Sequence, residues 1–386
     1  MRVLLLTGKG GVGKTSLAVA TALGAAAHGH RVFLLSTDAA HSLGDALGRP
    51  VGSRPVTVAE GVVAQEVEVL AELDRSWSGI QRWLRELLAD DADELVAEEM
   101  LVFPGLEELV SLRAIRDVEA AGESDLCVVD CAPTGATLRM LRFPDALRIF
   151  MHDFFDLKRR LVRGVRPVME RLRAGHWVPP EEFYDAFERL YQDVEDVRQI
   201  LLDTERTSAR LVVNPARVVV EETRRSFAYL SLYGVATDAV LVNRVLPEGA
   251  ADGYFARWKE RERMELNEIH ASFPVPILRA PLRPTEVIGV EALAALAEEV
   301  YGRRDPCERF AVGRPIRLDK RGGRARLEID LPGATKEEVS VGVRGQDLVV
   351  RVRDAERLIA LPGSVAGRSV GSVRLRHGVL EVSFQP

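Results

Sequence analysis

An α/β fold is predicted for the first three hundred residues, a mostly parallel sheet with crossover helices and helical insertions, followed by an all-β sandwich. Three observations predict it. Apolar runs of strand length alternate with helical periodicity across residues 1–302. Polar residues stand at or just after the ends of these runs (Asp38, Asp130, Asn214 and Asn243), and open sheets bind ligands at the carboxyl ends of their strands. Beyond residue 314 the pattern changes to short alternating runs separated by Pro-Gly, Gly-Gln and His-Gly turns.

The expected strands of the first part are Val3–Leu6, Val32–Ser36, Leu126–Asp130, Leu211–Asn214, Ala239–Asn243 and Val275–Leu278, with Val62–Val69 as a further one. Those of the second are Arg326–Leu331, Val339–Val343, Leu348–Val352, Leu358–Leu361, Ser372–Leu375 and Leu380–Phe384. The domain plan is therefore 1–302 for the α/β unit, 303–314 for a linker and 315–386 for the sandwich. A helical subdomain is expected over about 72–122 and 143–205.

At 386 residues the chain has length for two domains, one of them large. Its net charge of -6, from 52 basic and 58 acidic residues, carries no bias towards nucleic acid. No apolar run approaches a membrane span, and the first residues lead straight into a strand without room for a leader, so a cytoplasmic protein is expected. Cys127 and Cys131 lie on one strand about 13 Å apart at the usual rise, too far for a disulfide. There is no C-x-x-C and no Cys/His cluster of zinc spacing, so no structural zinc is expected.

Gly8-Lys9-Gly10-Gly11-Val12-Gly13-Lys14-Thr15-Ser16 follows the first strand and fits G-x-x-x-x-G-K-[ST], the P-loop. Its glycines let the backbone N–H groups turn inward as a nest for a polyphosphate, at the start of a helix beginning Leu17-Ala18-Val19. Lys14 would bind β- and γ-phosphate oxygens of ATP, and the Thr15 hydroxyl would hold Mg²⁺. Lys9 narrows the motif. K-G-G-x-G-K-[ST] resembles the deviant loop of the MinD, nitrogenase-iron-protein and ArsA branch. There the first lysine reaches the nucleotide of a partner subunit, which implies a homodimer here; a solvated surface lysine is the other reading.

Ser36-Thr37-Asp38-Ala39-Ala40-His41-Ser42-Leu43-Gly44-Asp45-Ala46 resembles switch I of the ArsA family, S-T-D-P-A-H-[NS]-L-x-D-A. That family includes arsenite-pump ATPases and targeting ATPases for tail-anchored membrane proteins. The resemblance makes Asp38 the residue that orients the attacking water. On residue type alone Asp38 serves equally well as a helix N-cap. Asp130-Cys131-Ala132-Pro133-Thr134-Gly135-Ala136-Thr137-Leu138-Arg139 resembles the family's D-T-A-P-T-G-H-T-L-R. By that likeness Asp130 holds a Mg²⁺-bound water and Pro133, Thr134 and Gly135 form switch II. Ala39 and Ala136 replace the family's proline and histidine.

In the family's targeting members the region matching Phe143–Leu172 contributes a groove for an apolar helix. Phe150, Met151, Phe154, Leu157 and Leu161 would line it here; the same stripe could instead face the protein's own core. Asp238-Ala239-Val240-Leu241-Val242-Asn243-Arg244 resembles the strand whose asparagine reads adenine, and the segment from Arg279 resembles the loop over the base, contacted near Pro281 and Leu282. Asn243 could equally cap the next loop. Leu331-Pro332-Gly333 through Val339 and Gly378-Val379-Leu380 resemble the α-crystallin domain of small heat-shock proteins, with a tight turn at Asp354-Ala355-Glu356 in place of a long loop and no I-x-I tail before Pro386.

The resemblance implies a Mg²⁺-dependent ATPase, a dimeric switch that captures and releases a client, foremost a hydrophobic protein segment, with or without a membrane partner. Two alternatives stay open: the ATPase of an arsenite or metalloid efflux system, and a slow nucleotide-switched binding protein. A single P-loop and the lack of a thiolate cluster weigh against the efflux reading.

Overall fold

The computed structural model describes residues 1–38, 42–67, 106–132, 135, 181–249, 253–321, 324–345, 347–363, 365 and 367–385. The groove residues Phe150 to Leu161, together with Pro133, Thr134, Ala39 and Ala136, lie outside the described residues, as does much of the expected helical subdomain.

Among the described residues the N-terminal part of the chain forms one sheet of eight strands. In chain order these are β1 (Arg2–Gly8), β2 (Val32–Ser36), β3 (Val56–Ala59), β4 (Val62–Glu66), β5 (Leu126–Asp130), β6 (Thr207–Val213), β7 (Thr237–Val245) and β8 (Ile277–Pro281). They lie in the order β3-β4-β2-β5-β1-β6-β7-β8. Every neighbouring pair is parallel except the β3–β4 hairpin. The described helices are α1 (Lys14–Ala27), α2 (Ser42–Leu47), α3 (Leu106–Ala121), α4 (Glu181–Leu202), α5 (Arg217–Tyr233), α6 (Tyr254–Ser272) and α7 (Val290–Tyr301).

Helices cover both faces, which is why the central strands are continuously apolar and not alternating. Along β1 the pleat sends Leu4 and Leu6 into a core with α1 and α7, and Val3 and Leu5 into a second core with α3, α4 and α5. Gly8 ends β1 where a Cβ would collide with the Val212 carbonyl oxygen, so the strand can turn into the loop only with glycine there. A buried ion pair, Arg210 with Asp238 at 3.0 Å, sits where β6 and β7 meet. Arg2 and Ser208 also bond Asp238, so the pair's remaining lone pairs are satisfied, as burial of charge requires.

Several strand boundaries differ from expectation, and two of them bear on the site. β4 stops at Glu66, short of Val69, and β8 runs Ile277–Pro281, later than Val275–Leu278. Pro281 thus ends a strand and does not lie in a loop. β8 is an edge strand, where proline's missing N–H costs no ladder bond.

The segment 303–314 carries no helix or strand, yet it is clamped to the first domain. His30 pairs with Asp305 at 2.7 Å, and the Glu308 carbonyl accepts from Arg210 at 2.9 Å. The Phe310 ring lies 4.2 Å from the Arg210 guanidinium carbon.

The C-terminal sandwich has two antiparallel sheets. β9 (Ile316–Arg321), β10 (Arg324–Asp330), β14 (Val370–Arg376) and β15 (Val379–Phe384) form one, in the order β14-β15-β10-β9. The other is β11 (Val339–Arg344), β12 (Asp347–Val352) and β13 (Ala355–Ala360). β9 was not expected as a strand, although it lies inside the predicted sandwich: Ile316-Arg317-Leu318-Asp319-Lys320-Arg321 has only two apolar residues among four charges. The tight turn is the two residues Arg353-Asp354, since Ala355 already pairs with Val352. The sandwich packs on its own chain: Ala228, Tyr229, Leu232 and Tyr233 of α5 are part of its core. Tyr229 donates to Asp354, and Arg357 donates to the Leu232 carbonyl oxygen at 2.5 Å.

Candidate nucleotide site

The site is built at the carboxyl ends of β1, β2, β4 and β5. The register sets Leu6 and Ser36 each level with Asp130, and Ser36 level with Glu66. Four strands therefore end in one row, and the P-loop, switch I and the Asp130 segment leave from it together. Gly13 precedes α1 with φ 93°, and a Cβ there would overlap the Asn243 carboxamide, so this position also demands glycine. α1 has no side-chain cap and no acid in its first turn. Its leading amides and the positive end of its dipole are thus left for an anion.

Lys14 opens α1 and is 6% exposed. Thr15 donates its hydroxyl proton to Asp130 Oδ2 at 2.7 Å. Ser42 Oγ lies 2.9 Å from Thr15 Oγ1, and because the single Thr15 proton goes to Asp130, Ser42 is the donor of that bond. Asp130 is fully buried, and its other oxygen, Oδ1, has no hydrogen-bond partner. Burial pushes its carboxyl up to about 7; the Thr15 bond and Lys14 pull it down, while Asp38 and Glu66 add to the rise. An orphaned buried carboxylate oxygen beside two hydroxyls is a hard, all-oxygen donor set. That suits Mg²⁺, which takes one or two protein ligands and fills its octahedron with water and phosphate. Among the described residues no cluster of three or more His, Cys, Asp or Glu could hold a metal.

Asp38 is half-buried and stands two residues after β2, close enough for its charge to act on Asp130. Thr37, beside it, is tied to the Asp130 carbonyl through its N–H at 3.0 Å. Helix α2 begins at Ser42, and the amides of Leu43 and Gly44 donate to Glu66. Lys9 forms an ion pair with Glu222 of α5 at 2.9 Å, with both side chains about one-third exposed. Asn243 is brought against the P-loop: its Nδ2 donates to the Val12 carbonyl oxygen at 2.8 Å and its Oδ1 accepts from Arg244 N–H. The Leu282 N–H donates to the Val245 carbonyl oxygen at 2.7 Å, so Pro281 and Leu282 are joined to the strand that carries Asn243. Gly135 is exposed.

Sequence reasoning missed Glu66, Ser42 and Glu222. Glu66 did leave a signal: Val62, Ala64 and Glu66 share the inward phase of β4, so an acid sits where packing calls for an apolar residue. All three cysteines are free, Cys127 and Cys131 buried and Cys307 partly exposed; burial pushes the Cys127 thiol up to about 12 and raises Cys131 further.

A glycine-rich loop between a central parallel strand and a helix, with a buried strand-end aspartate touching its threonine, defines a P-loop nucleoside-triphosphate hydrolase. The chain belongs to the ArsA family of anion-transporting ATPases, which are ATP-hydrolysing enzymes: residues 1–302 match that family's model, and residues 322–384 match the HSP20-like domain found in ArsA. It is 34% identical over 388 residues to the "Putative arsenical pump-driving ATPase" of Prosthecochloris vibrioformis, covering 100% of this chain and 96% of that protein. "Putative arsenical pump-driving ATPase 1" of Aquifex aeolicus is 33% identical, with 94% of each chain covered. "ATPase GET3B" of Arabidopsis thaliana is 29% identical over 77% of this chain and 78% of its own. ATPases of this family are generally dimeric. Among the described residues no helix is long and apolar enough to cross a membrane.

Proposed function

We propose that the protein is a Mg²⁺-dependent, ATP-driven homodimeric switch that captures a hydrophobic protein segment in one nucleotide state and releases it in another. The observation that supports the Mg²⁺-dependent ATPase at the centre of this reading is the Thr15–Asp130 contact with Asp130 Oδ1 left unpartnered beside the buried Lys14; the dimer and the client rest on the family resemblance. Thr15 and Asp130, the latter through water, would hold Mg²⁺, which when bound supplies positive charge to the β- and γ-phosphate oxygens. Lys14 binds those oxygens from its own chain. Asp38 accepts a hydrogen bond from the attacking water and aligns it with the γ-phosphorus. Lys9 leaves Glu222 and reaches the partner's nucleotide, adding charge where it develops in transfer. Asn243, with the backbone near Pro281 and Leu282, holds adenine once its carboxamide exchanges the Val12 bond for the base. Pro133, Thr134 and Gly135 carry the γ-phosphate state towards the groove residues Phe150, Met151, Phe154, Leu157 and Leu161.

The names of the relatives favour a second reading, the ATPase of an arsenical efflux system. The thiols speak against a metalloid site of thiolates, because Cys127 and Cys131 are buried and their ionisation is suppressed. Steady-state ATP hydrolysis measured with an apolar helical peptide, with arsenite, and with neither separates the readings. Stimulation by the peptide and not by arsenite is the expected result; the reverse overturns the client reading. Protein that stays monomeric when saturated with Mg·ATP overturns the dimeric switch.

A further inference from the structure

We infer that Glu66 is a positioning residue for ATP hydrolysis, its carboxylate fixing the first turn of α2 so that the Ser42 hydroxyl is held against Thr15. The inference rests on the reading of Thr15 and Asp130 as the groups that serve Mg²⁺.

Glu66 is 4% exposed and ends β4 on the inward phase. A lone carboxylate there is costly unless hydrogen bonds replace its water. One of its oxygens, Oε1, receives two: the Leu43 N–H at 3.0 Å and the Gly44 N–H at 3.1 Å. These amides belong to the first helical turn, whose N–H groups have no partner within the helix. A carboxylate facing them also meets the positive end of the peptide dipoles, so the bonds are charge-assisted.

Helix α2 has six residues, and a helix so short does not hold itself in water. Leu43 and Leu47 anchor it in the core and the Ala46 carbonyl accepts from Gly289 N–H at 2.9 Å, while its first turn is held from two sides. Glu66 grips its amides from the sheet side, and Ser42 Oγ meets Thr15 Oγ1 at 2.9 Å on the P-loop side. Because Ser36 is level with both Glu66 and Asp130, the two acids belong to one row of strand ends. A continuous set of contacts runs from Glu66 through α2 and Ser42 to Thr15 and Asp130. Removing the acceptor strands two amides, loosens the first turn of α2 while Leu47 stays in the core, and so frees Ser42 to move off the threonine. The oxygen is what matters for this, more than the charge.

The test uses the full chain in two variants. Glu66→Leu keeps bulk and removes the acceptor; Glu66→Gln keeps a carbonyl oxygen. For Glu66→Leu, kcat is expected to fall about tenfold or more and the Mg²⁺ concentration for half-maximal activity to rise about tenfold, the lower end of the range for an outer-shell partner, with ATP affinity within about threefold. Glu66→Gln is expected to restore both within about threefold. In the wild-type protein, hydrogen exchange at Leu43 and Gly44 amides is expected to be slow, and in Glu66→Leu fast while the β1 amides stay protected. The last readout separates a local release from unfolding, and the wild-type measurement and Glu66→Gln stand even if Glu66→Leu does not fold. Unprotected amides at 43 and 44 in the wild type overturn the inference. So does a Leu variant with unchanged kcat and Mg²⁺ dependence, or a Gln variant as impaired as Leu. ATP hydrolysis indifferent to Mg²⁺ in the wild type would sink the metal reading itself, while the amide exchange still decides the clamp.

Discussion

The two ends of the P-loop hold lysines in opposite circumstances. Lys14 opens α1 and is nearly sealed, its charge acting on Asp130; Lys9, five residues earlier, lies at the surface and is paired with Glu222 on α5. A lysine is rarely buried without a strong anionic partner, so Lys14 is committed to one place and one ligand. An exposed ion pair is worth no more than about 1 kcal/mol, so Lys9 is free to exchange one carboxylate for another anion. One loop thus carries a buried charge and a weakly held surface one.

Replacing each in turn probes that contrast. Lys14→Ala is expected to abolish nucleotide binding, a loss of at least about a hundredfold in affinity by calorimetry, since bonds to charged groups contribute about 1.5–3 kcal/mol each. Unchanged affinity would refute the phosphate assignment. Asp38→Asn is expected to hold the closed state, in which both lysines would face nucleotide and the contrast between them would vanish. Binding persists, kcat drops about a thousandfold, and a closed dimer accumulates on size exclusion; full turnover in this variant would return Asp38 to a structural role. Lys9→Ala is expected to leave binding by the monomer within about threefold and to lower kcat about a hundredfold with loss of the ATP-dependent dimer. A hundredfold loss of monomer affinity would mean that Lys9 serves its own nucleotide and that the contrast is false.

The pH dependence tests the buried end. Burial raises the folded pKa of Asp130 from 3.8 to about 7. Between those values the folded state holds a proton that the unfolded state has lost. This group's contribution to stability therefore declines as pH rises from about 4 to about 7, with a slope of at most about 1.4 kcal/mol per pH unit. In chemical denaturation Asp130→Asn is expected to remove that slope, and Mg²⁺ binding by the wild type is expected to tighten as pH rises through 7. The smallest effect belongs to Glu222→Gln. Loss of an exposed partner should raise ATP-dependent dimerisation no more than about fivefold, and a fall would show that Glu222 assists the closed state.

Much of this site was legible in the chain, because its chemistry demands fixed residue types at fixed local spacings. Lys9, Lys14, Thr15, Asp38 and Asp130 are read from two loops and a strand end, and the structure brings Thr15 to Asp130 across more than a hundred residues. Glu66 was overlooked, since its partners are backbone amides and a backbone N–H has no letter in a sequence. Glu222 carried no role in the sequence reading, because its pairing with Lys9 depends on where α5 packs. β9 went unseen for a different reason: an edge strand buries one side only, and charges fill the other.

The sequence by itself settled the kind of machine this is: hydrophobic period dictates which segments become strands or helices, and a phosphate-binding loop tolerates few substitutions. Three-dimensional packing alone decided which groups face one another. It aligned four strand ends, closed an acid over the amides of α2, and built α5 into both the nucleotide domain and the sandwich. Such contacts arise from register and burial summed over the whole fold, and no local stretch of residues encodes them.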